Sequence, residues 1–353
     1  KGKEIGAYTK TQIDKLVKED DRSILIFEGE VYDASDFKHT HPGGPKLIDN
    51  YLGQDMTEAF YDEEHTKIAL RMLNDMHIGT LATDTDDGVS EETVPTHSRM
   101  KEIEGEEWRN KVDISKGTIY QVYKNLNHEE YMNFINDPKH LTKPNEEQRL
   151  FHYDWMEMFT RTPWYHVAIF WTPVSLYYLY QGFQQLSLTS FILTCLFSAW
   201  AWTFLEYSLH RFLFHMEIYM PDSAILRTVH YSIHGVHHAF PMDKHRLVFP
   251  IVPALGIWYL FDYIWTPFLP TSMYCTFTGA LVMAYMFYDL EHYYLHHSEP
   301  LKIAEYRKKY HMYHHYKDPD NGYGITNSFW DKLFGTELDM TKKANRNGSK
   351  KVA

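Results

Sequence analysis

Residues 162–205 read TPWYHVAIFWTPVSLYYLYQGFQQLSLTSFILTCLFSAWAWTFL, and none of these 44 positions is charged. A bilayer core needs about 20 helical residues, and the one polar interruption, Gln181 to Ser187, lies near the middle. The stretch therefore predicts two spans joined by a tight hairpin. A second pair follows: Leu247 to Thr266 with a lone Asp262, a break at Pro267 and Pro270, then Ser272 to Tyr288. Helices buried in a soluble bundle share this periodicity, but they rarely run uncharged for so long.

Two hairpins put residues 1–161, 206–246 and 289–353 on one side of the membrane. Arg149, Arg161, Arg211, Arg227, Lys244, Arg246, Lys302 and Arg307 to Lys309 all fall there, whereas neither hairpin turn holds a Lys or Arg. The positive-inside rule makes that side the cytoplasm, with both termini in it. No basic, apolar, small-residue order of a secretory signal precedes the first span, so that span is expected to serve for targeting.

Charge divides the chain further. The net charge is −12 overall, yet the first 107 positions alone carry −13, so an acidic head precedes a near-neutral, apolar body. Neither part suits nucleic acid, whose binding needs a basic surface. Aromatics at 16%, including 27 Tyr, fit a chain that meets a membrane interface. Cys195 and Cys275 lie in apolar runs and form no disulfide framework or zinc ribbon.

Within the head, apolar runs at Ser23 to Phe27 and Val31 to Asp33 alternate with turns, and helical periods follow around Lys46 to Leu52 and Thr66 to Leu73. His41, Pro42, Gly43 and Gly44 form a turn from which an imidazole can project at close backbone approach. His65 follows 24 positions later and could grip the opposite face of a flat cofactor. These features, with LIDNYLGQDMTEAF at Leu47 to Phe60 and MHIGTL at Met76 to Leu81, resemble the cytochrome b5 domain. The resemblance implies an α+β head over residues 1–82 that binds haem b through His41 and His65. Both axial positions would then be filled, and the head would carry electrons one at a time. His39 is a rival ligand on spacing alone. Residues 83–107 are acidic and rich in small polar residues, which predicts a flexible linker with a reach of roughly 25 to 30 Å.

The body concentrates histidine: His210 and His215; His230, His234, His237 and His238; His292, His296 and His297; His311, His314 and His315. Every group emerges on the cytoplasmic side at about membrane-surface depth. His234, His237 and His238, like His311, His314 and His315, sit at i, i+3 and i+4, and His292 and His296 at i, i+4, so each set is expected to face one way on its helix. His210 and His215 are five apart, about 140° round an ideal helix. Both can ligate only if they serve different metals or the helix is distorted. Ten aligned imidazoles are too many for one metal and imply two. Zinc-protease and zinc-finger spacings are absent, as are the Glu-x-x-His pairs of ferritin-like di-iron bundles. Single histidines elsewhere, His152 and His166, read as packed or interfacial.

The order HxxxxH, HxxHH, HxxxH, HxxHH is similar to the fatty acid hydroxylase superfamily of membrane di-iron oxygenases. With a cytochrome b5 head and linker, and with VDISKGTIYQVY at Val112 to Tyr123, LFHYDWMEMFTRTPWY at Leu150 to Tyr165, LEYSLHRFLFH at Leu205 to His215 and PMDKHRL at Pro241 to Leu247, the chain resembles the fatty acid 2-hydroxylases. The resemblance implies a pre-membrane helical segment over 108–161, an all-α four-span domain over 162–341 with a cytosolic histidine-rich helical cap, and a basic tail over 342–353. It further implies hydroxylation at carbon 2 of the acyl chain of ceramide, with O2 as co-substrate and an NAD(P)H-dependent cytochrome b5 reductase as electron donor. The metal ligands, and with them the catalytic residues, would be His210, His215, His234, His237, His238, His292, His296, His311, His314 and His315. They would hold two irons, for which zinc can substitute silently. His230 and His297 are expected to orient neighbouring ligands, while Glu206 and Asp289, each one helical turn from a ligand, either orient one or cap a span. Lys350 and Lys351 near the C-terminus resemble an endoplasmic reticulum retrieval signal. The rival readings are a cytochrome b5-fused desaturase, disfavoured by His311 where such enzymes usually carry Gln, and a membrane-anchored haem electron carrier.

Overall fold

The computed structural model describes residues 6–63, 65, 67–82, 107–139, 148–297 and 302–340. The acidic stretch 83–106 and the tail with Lys350 and Lys351 lie outside the described residues. Two compact units divide the chain, with a boundary between Glu107 and Trp108.

In the first unit, β1 (Gly6–Tyr8), β2 (Ile24–Phe27), β3 (Glu30–Asp33) and β4 (His77–Leu81) form one sheet in the order β1-β4-β3-β2. β2 and β3 pair antiparallel through a two-residue turn in which Glu28 and Gly29 both take positive φ, the geometry that matches strand twist in a tight hairpin. β4 lies antiparallel to β3 and parallel to β1. β2 is buried on both faces: Leu25 and Phe27 join Tyr32, Ile48, Phe60 and Leu73, while Ile24 and Ile26 join Ile13 and Val31. The helices Pro45–Asp49, Thr57–Asp62 and Lys67–Met76 lie between β3 and β4 in the chain, and the first two bracket the space beside His41 and His65. This is the α+β head the sequence predicts.

The second unit is helical. Four long helices occupy the predicted spans: Trp164–Phe183, Leu188–Ser208, Ile251–Trp265 and Thr271–His297. Among the described residues, one helical run, Leu188–Phe214, is long and apolar enough to cross a membrane on length and composition. The other three depart from the expected spans for separate reasons. Trp164–Phe183 is diluted by Tyr, Gln, Ser and Thr, and Thr271–His297 ends in Asp289, Glu291 and its histidines. Ile251–Trp265 has 15 residues, which at a helical rise of about 1.5 Å per residue is shorter than a hydrocarbon core. Trp164–Phe183, Leu188–Ser208 and Ile251–Trp265 nonetheless carry outward apolar rows, with Ile169, Leu176, Leu193, Leu196, Leu260 and Tyr263 each more than half exposed.

Thr271–His297 is the central helix and packs along both members of the first hairpin. Small residues set the approach to Trp164–Phe183. A Cβ on Gly182 would stand 2.9 Å from the Thr276 nitrogen, and one on Gly279 would stand 2.7 Å from the Leu179 nitrogen and 3.0 Å from the Ser175 carbonyl oxygen. The Ser175 hydroxyl donates to the Gly279 carbonyl at 2.7 Å, a hydrogen bond between helices that this closeness permits. The pre-membrane segment supplies Val112, Val122, Leu126, Phe134 and Leu150 to a core shared with Tyr231, Val236 and Phe240, so it clamps the second histidine group from outside the bundle.

Because backbone rather than flexible side chain blocks Gly279, we expect Gly279→Val to push the two helices apart and cost about 1–3 kcal/mol. Thermal unfolding in detergent should show the loss, and unchanged stability would contradict this packing.

Candidate metal centre

The site begins with two helical irregularities. Beyond Ser208 the helix widens into a π-helical turn over Leu209–Phe214, and the His215 N–H donates to the His210 carbonyl at 2.9 Å, five residues back. A π-turn brings i and i+5 onto one face, where an ideal helix would not. Their rings stand 5.0 Å apart, so the distorted-helix alternative holds and both serve one cluster. A second π-turn, Tyr231–Gly235, lies inside the next histidine group.

Ten imidazoles converge in two sets of five. His210, His215, His234, His238 and His314 form one, and His237, His292, His296, His311 and His315 form the other, each with its ring nitrogens within 4.8 Å of one another. All ten are buried. The sequence expectation that each i, i+3, i+4 row faces one way needs correction. His237 turns to the second cluster while its neighbours His234 and His238 serve the first, and His314 separates from His311 and His315 in the same manner. A helical row with three side chains subtends enough arc to reach two adjacent centres. His238 and His315, one from each cluster, lie ring to ring at 4.4 Å, so the centres adjoin.

The nitrogens suit a metal ion. Nε2 atoms face one another at 3.2 Å for His210 and His234, 3.1 Å for His215 and His314, 3.1 Å for His237 and His292, and 2.9 Å for His296 and His311. Neighbouring nitrogens bound at about 2.0–2.1 Å to one ion, at right angles, would lie roughly 3 Å apart. Burial, reinforced by neighbouring imidazoles, pushes His234, His237, His238, His311 and His315 well below the ordinary histidine value. They are therefore neutral, the form that ligates.

Several groups stand behind these rings. The His210 Nδ1 lies 2.6 Å from the Tyr323 carbonyl and the His314 Nδ1 2.8 Å from that of Asn321. The His215 Nδ1 meets a Glu217 oxygen at 2.7 Å, and His230 Nε2 meets the other Glu217 oxygen at 2.7 Å. Burial alone would raise the Glu217 carboxyl, but bonds from His215 and His230 hold it well below the usual carboxylate range. His230 thus acts on a cluster residue through a carboxylate. Glu206 is also indirect: its carboxylate accepts from the Ile325 and Thr326 N–H groups, both at 2.8 Å, and so fixes the loop whose Tyr323 carbonyl meets His210. Asp289 touches no cluster imidazole in a hydrogen bond. It accepts from the Phe249 N–H at 3.1 Å and anchors the entry to Ile251–Trp265. His297 packs on Tyr293, and His152 and His166 are exposed beside Tyr153 and Tyr165. Glu217, Asn321 and Tyr323 escaped sequence reasoning. For Glu217 the available signal was an acid two residues past His215, whereas the carbonyl partners carry no residue-type signal.

A cavity of about 240 Å³ runs from the clusters between the helices. His234 of the first cluster and His237 and His292 of the second line it, together with the apolar Trp171, Trp202, Trp258, Phe261 and Val282. Arg246, ion-paired with Glu157 and Asp243, lines it as well.

In the head, His41 Nδ1 lies 3.1 Å from the Gly44 carbonyl and His65 Nδ1 2.8 Å from that of Phe60. The ring centres stand 6.3 Å apart. With metal–imidazole bonds of about 2 Å, two axial rings would stand roughly 6 Å apart centre to centre. Gly44 takes a φ of +93°, which the turn after His41 requires. His39 is exposed in the turn Lys38–Thr40.

Residues 9–82 match the cytochrome b5-like haem/steroid binding domain family, and residues 195–336 match the fatty acid hydroxylase family. The chain is 32% identical over 348 residues to the ceramide very long chain fatty acid hydroxylase SCS7 of Saccharomyces cerevisiae, covering 88% of each. It is 34% identical over 344 residues to fatty acid 2-hydroxylase of Mus musculus, covering 87% of this chain and 88% of that one. It is 38% identical over 231 residues to the dihydroceramide fatty acyl 2-hydroxylase FAH2 of Arabidopsis thaliana, covering 64% of this chain and 92% of that one. A solved structure of full-length scs7p, with only the hydroxylase domain visible, matches with a TM-score of 0.62 at 32% identity over 67% of this chain and 88% of that one. A haem-binding head and ten gathered imidazoles agree with these likenesses, and the chain belongs to the cytochrome b5-fused fatty acid 2-hydroxylase family of hydroxylating oxidoreductases.

Proposed function

We propose that the protein hydroxylates carbon 2 of the acyl chain of ceramide at a di-iron site in the endoplasmic reticulum membrane. The observation that carries this reading is one apolar cavity lined by imidazoles of both clusters. When bound, the iron pair supplies activation of O2 and oxidation of an unactivated C–H bond. One substrate C–H, O2, two electrons and two protons give C–OH and water. His210, His215, His234, His238 and His314 hold one ion, and His237, His292, His296, His311 and His315 the other. His41 and His65 would hold haem b, which would supply one-electron transfer with a cytochrome b5 reductase as the electron source.

The chain's own residues supply placement. Trp171, Trp202, Trp258 and Phe261 exclude water and fix an acyl chain in extended form. The histidines lie where the helices leave the apolar zone, so the polar amide stays at the interface and carbon 2 is held near the clusters. The exposed apolar rows on the hairpins support four lipid-facing helices, with the shorter third helix extended by flanking residues. The basic residues between the hairpins support cytosolic termini.

Replacing His41 or His65 with Ala should each abolish a low-spin haem spectrum that ignores carbon monoxide, while His39→Ala keeps it. Haem lost from the His39 variant alone would reassign the axial pair.

His238→Ala and His315→Ala strike different clusters. Each should remove hydroxylase activity and lower the iron content while sparing the haem spectrum. Full metal content in both variants would contradict the ligand set.

Lipid mass spectrometry of cells with and without the protein should show ceramides gaining one oxygen at carbon 2 across several acyl lengths. A product lacking two hydrogens, or oxygen at a fixed distance from the methyl end, would instead identify a desaturase-like outcome.

A further inference from the structure

The two clusters match as sets of imidazoles but differ in what stands behind them. In the first, the Nδ1 atoms of His210, His215 and His314 are each held, by the Tyr323 carbonyl, the Glu217 carboxylate and the Asn321 carbonyl. Glu217 is only 6% exposed and is braced in turn, since its second oxygen meets His230 and the His230 Nδ1 meets the Tyr131 hydroxyl. Gly235 makes room for that brace: a Cβ there would stand 2.6 Å from the Tyr131 oxygen and 3.2 Å from the His230 ring. Among the described residues, the buried Nδ1 atoms of the two clusters without a hydrogen-bond partner are three in the second, on His296, His311 and His315, against one in the first, on His238.

This difference has a chemical consequence. A carboxylate accepting from Nδ1–H raises the basicity of the opposite nitrogen, fixes the tautomer and stops the ring from turning. An imidazole without such a partner must lose rotational freedom when it ligates, and it donates less strongly. The more weakly braced cluster also presents two of the three imidazoles that line the cavity, His237 and His292.

We propose that Glu217 is a positioning residue that makes the two metal sites unequal. The site of His210, His215, His234, His238 and His314 retains its ion, and the site of His237, His292, His296, His311 and His315, on the substrate side, releases its ion first. The proposal rests on the reading of the clusters as metal sites.

The full-length protein, loaded with Fe(II) in detergent, is equilibrated against graded chelator and its ions counted by elemental analysis. Release is expected in two steps separated by about 10- to 100-fold in free-metal concentration, the range that outer partners of metal ligands typically command. Glu217→Gln should merge the steps by weakening the tighter one, and in Co(II)-loaded protein it should shift the visible absorption bands, which a purely structural role would leave in place. His311→Asn, in the other cluster, should weaken the looser step and spare the tighter one, and it tests the assignment even where the Glu217 variant does not fold. Release of both ions in one step by the unaltered protein, unchanged steps in folded Glu217→Gln, or loss of the tighter step in His311→Asn would overturn the inequality alone. A chain that takes up no metal would overturn the metal reading beneath it.

Discussion

Ten buried imidazoles gathered with facing nitrogens about 3 Å apart are the constraint around which the second unit is built. Nitrogen lone pairs facing one another repel, and their burial removes the water that would otherwise satisfy them. Cations that take up the lone pairs would stabilise such a gathering, and it is reachable only if the backbone delivers each ring at a fixed depth and angle. The π-turns at Leu209–Phe214 and Tyr231–Gly235 do that locally. The pre-membrane core around Val122, Leu126 and Phe134 does it from outside. The small-residue seam between Trp164–Phe183 and Thr271–His297 does it from the membrane side.

Because the second and fourth histidine groups each divide between the clusters, the two centres cannot move independently. A rotation of Glu305–Tyr316 that displaced His314 from one centre would also displace His311 and His315 from the other. One short helix therefore sets the separation of the centres, as a helical row of three side chains allows. Two other elements serve one centre each: Thr271–His297 brings His292 and His296 to the second, and the π-turn Leu209–Phe214 brings His210 and His215 to the first. Differences between the centres also come from behind the rings, from groups such as Glu217 and the carbonyls of Asn321 and Tyr323.

Much of this was legible in the chain because it is written in residue type. The His41 to Gly44 turn, His65, the ten histidines and the uncharged hairpins are all local signals, and the structure gathers the residues they name. What was not legible depends on geometry. The division of His237 from His234 and His238, or of His314 from its neighbours, depends on which way two helices cross, and no spacing rule encodes that. The π-turn was foreseen only as one of two alternatives for His210 and His215. Asp289 illustrates the opposite failure. Its sequence position one turn from a histidine suggested either an orienting role or a cap on its own span, yet its side chain accepts from the Phe249 N–H on a different element. The spans are met only in part by length and apolarity for a further reason: lack of charge was read as apolarity, although Trp164–Phe183 owes its neutrality partly to Tyr, Gln, Ser and Thr.

The placement of the cavity gives the last link from fold to chemistry. An apolar slot can fix an acyl chain laterally but has no means of counting its carbons, since every methylene presents the same surface. On the proposed reading, registration comes from the polar end of the ceramide, its amide and hydroxyl groups, which pays a desolvation penalty for entering the slot. Imidazoles of both clusters and Arg246 line the cavity together with Trp258 and Phe261. An acyl chain held from its carboxyl end would then present the first carbon beyond the carbonyl to His234, His237 and His292. Regiospecificity would follow from where the polar end of the substrate stops, with the apolar walls setting only the lateral position.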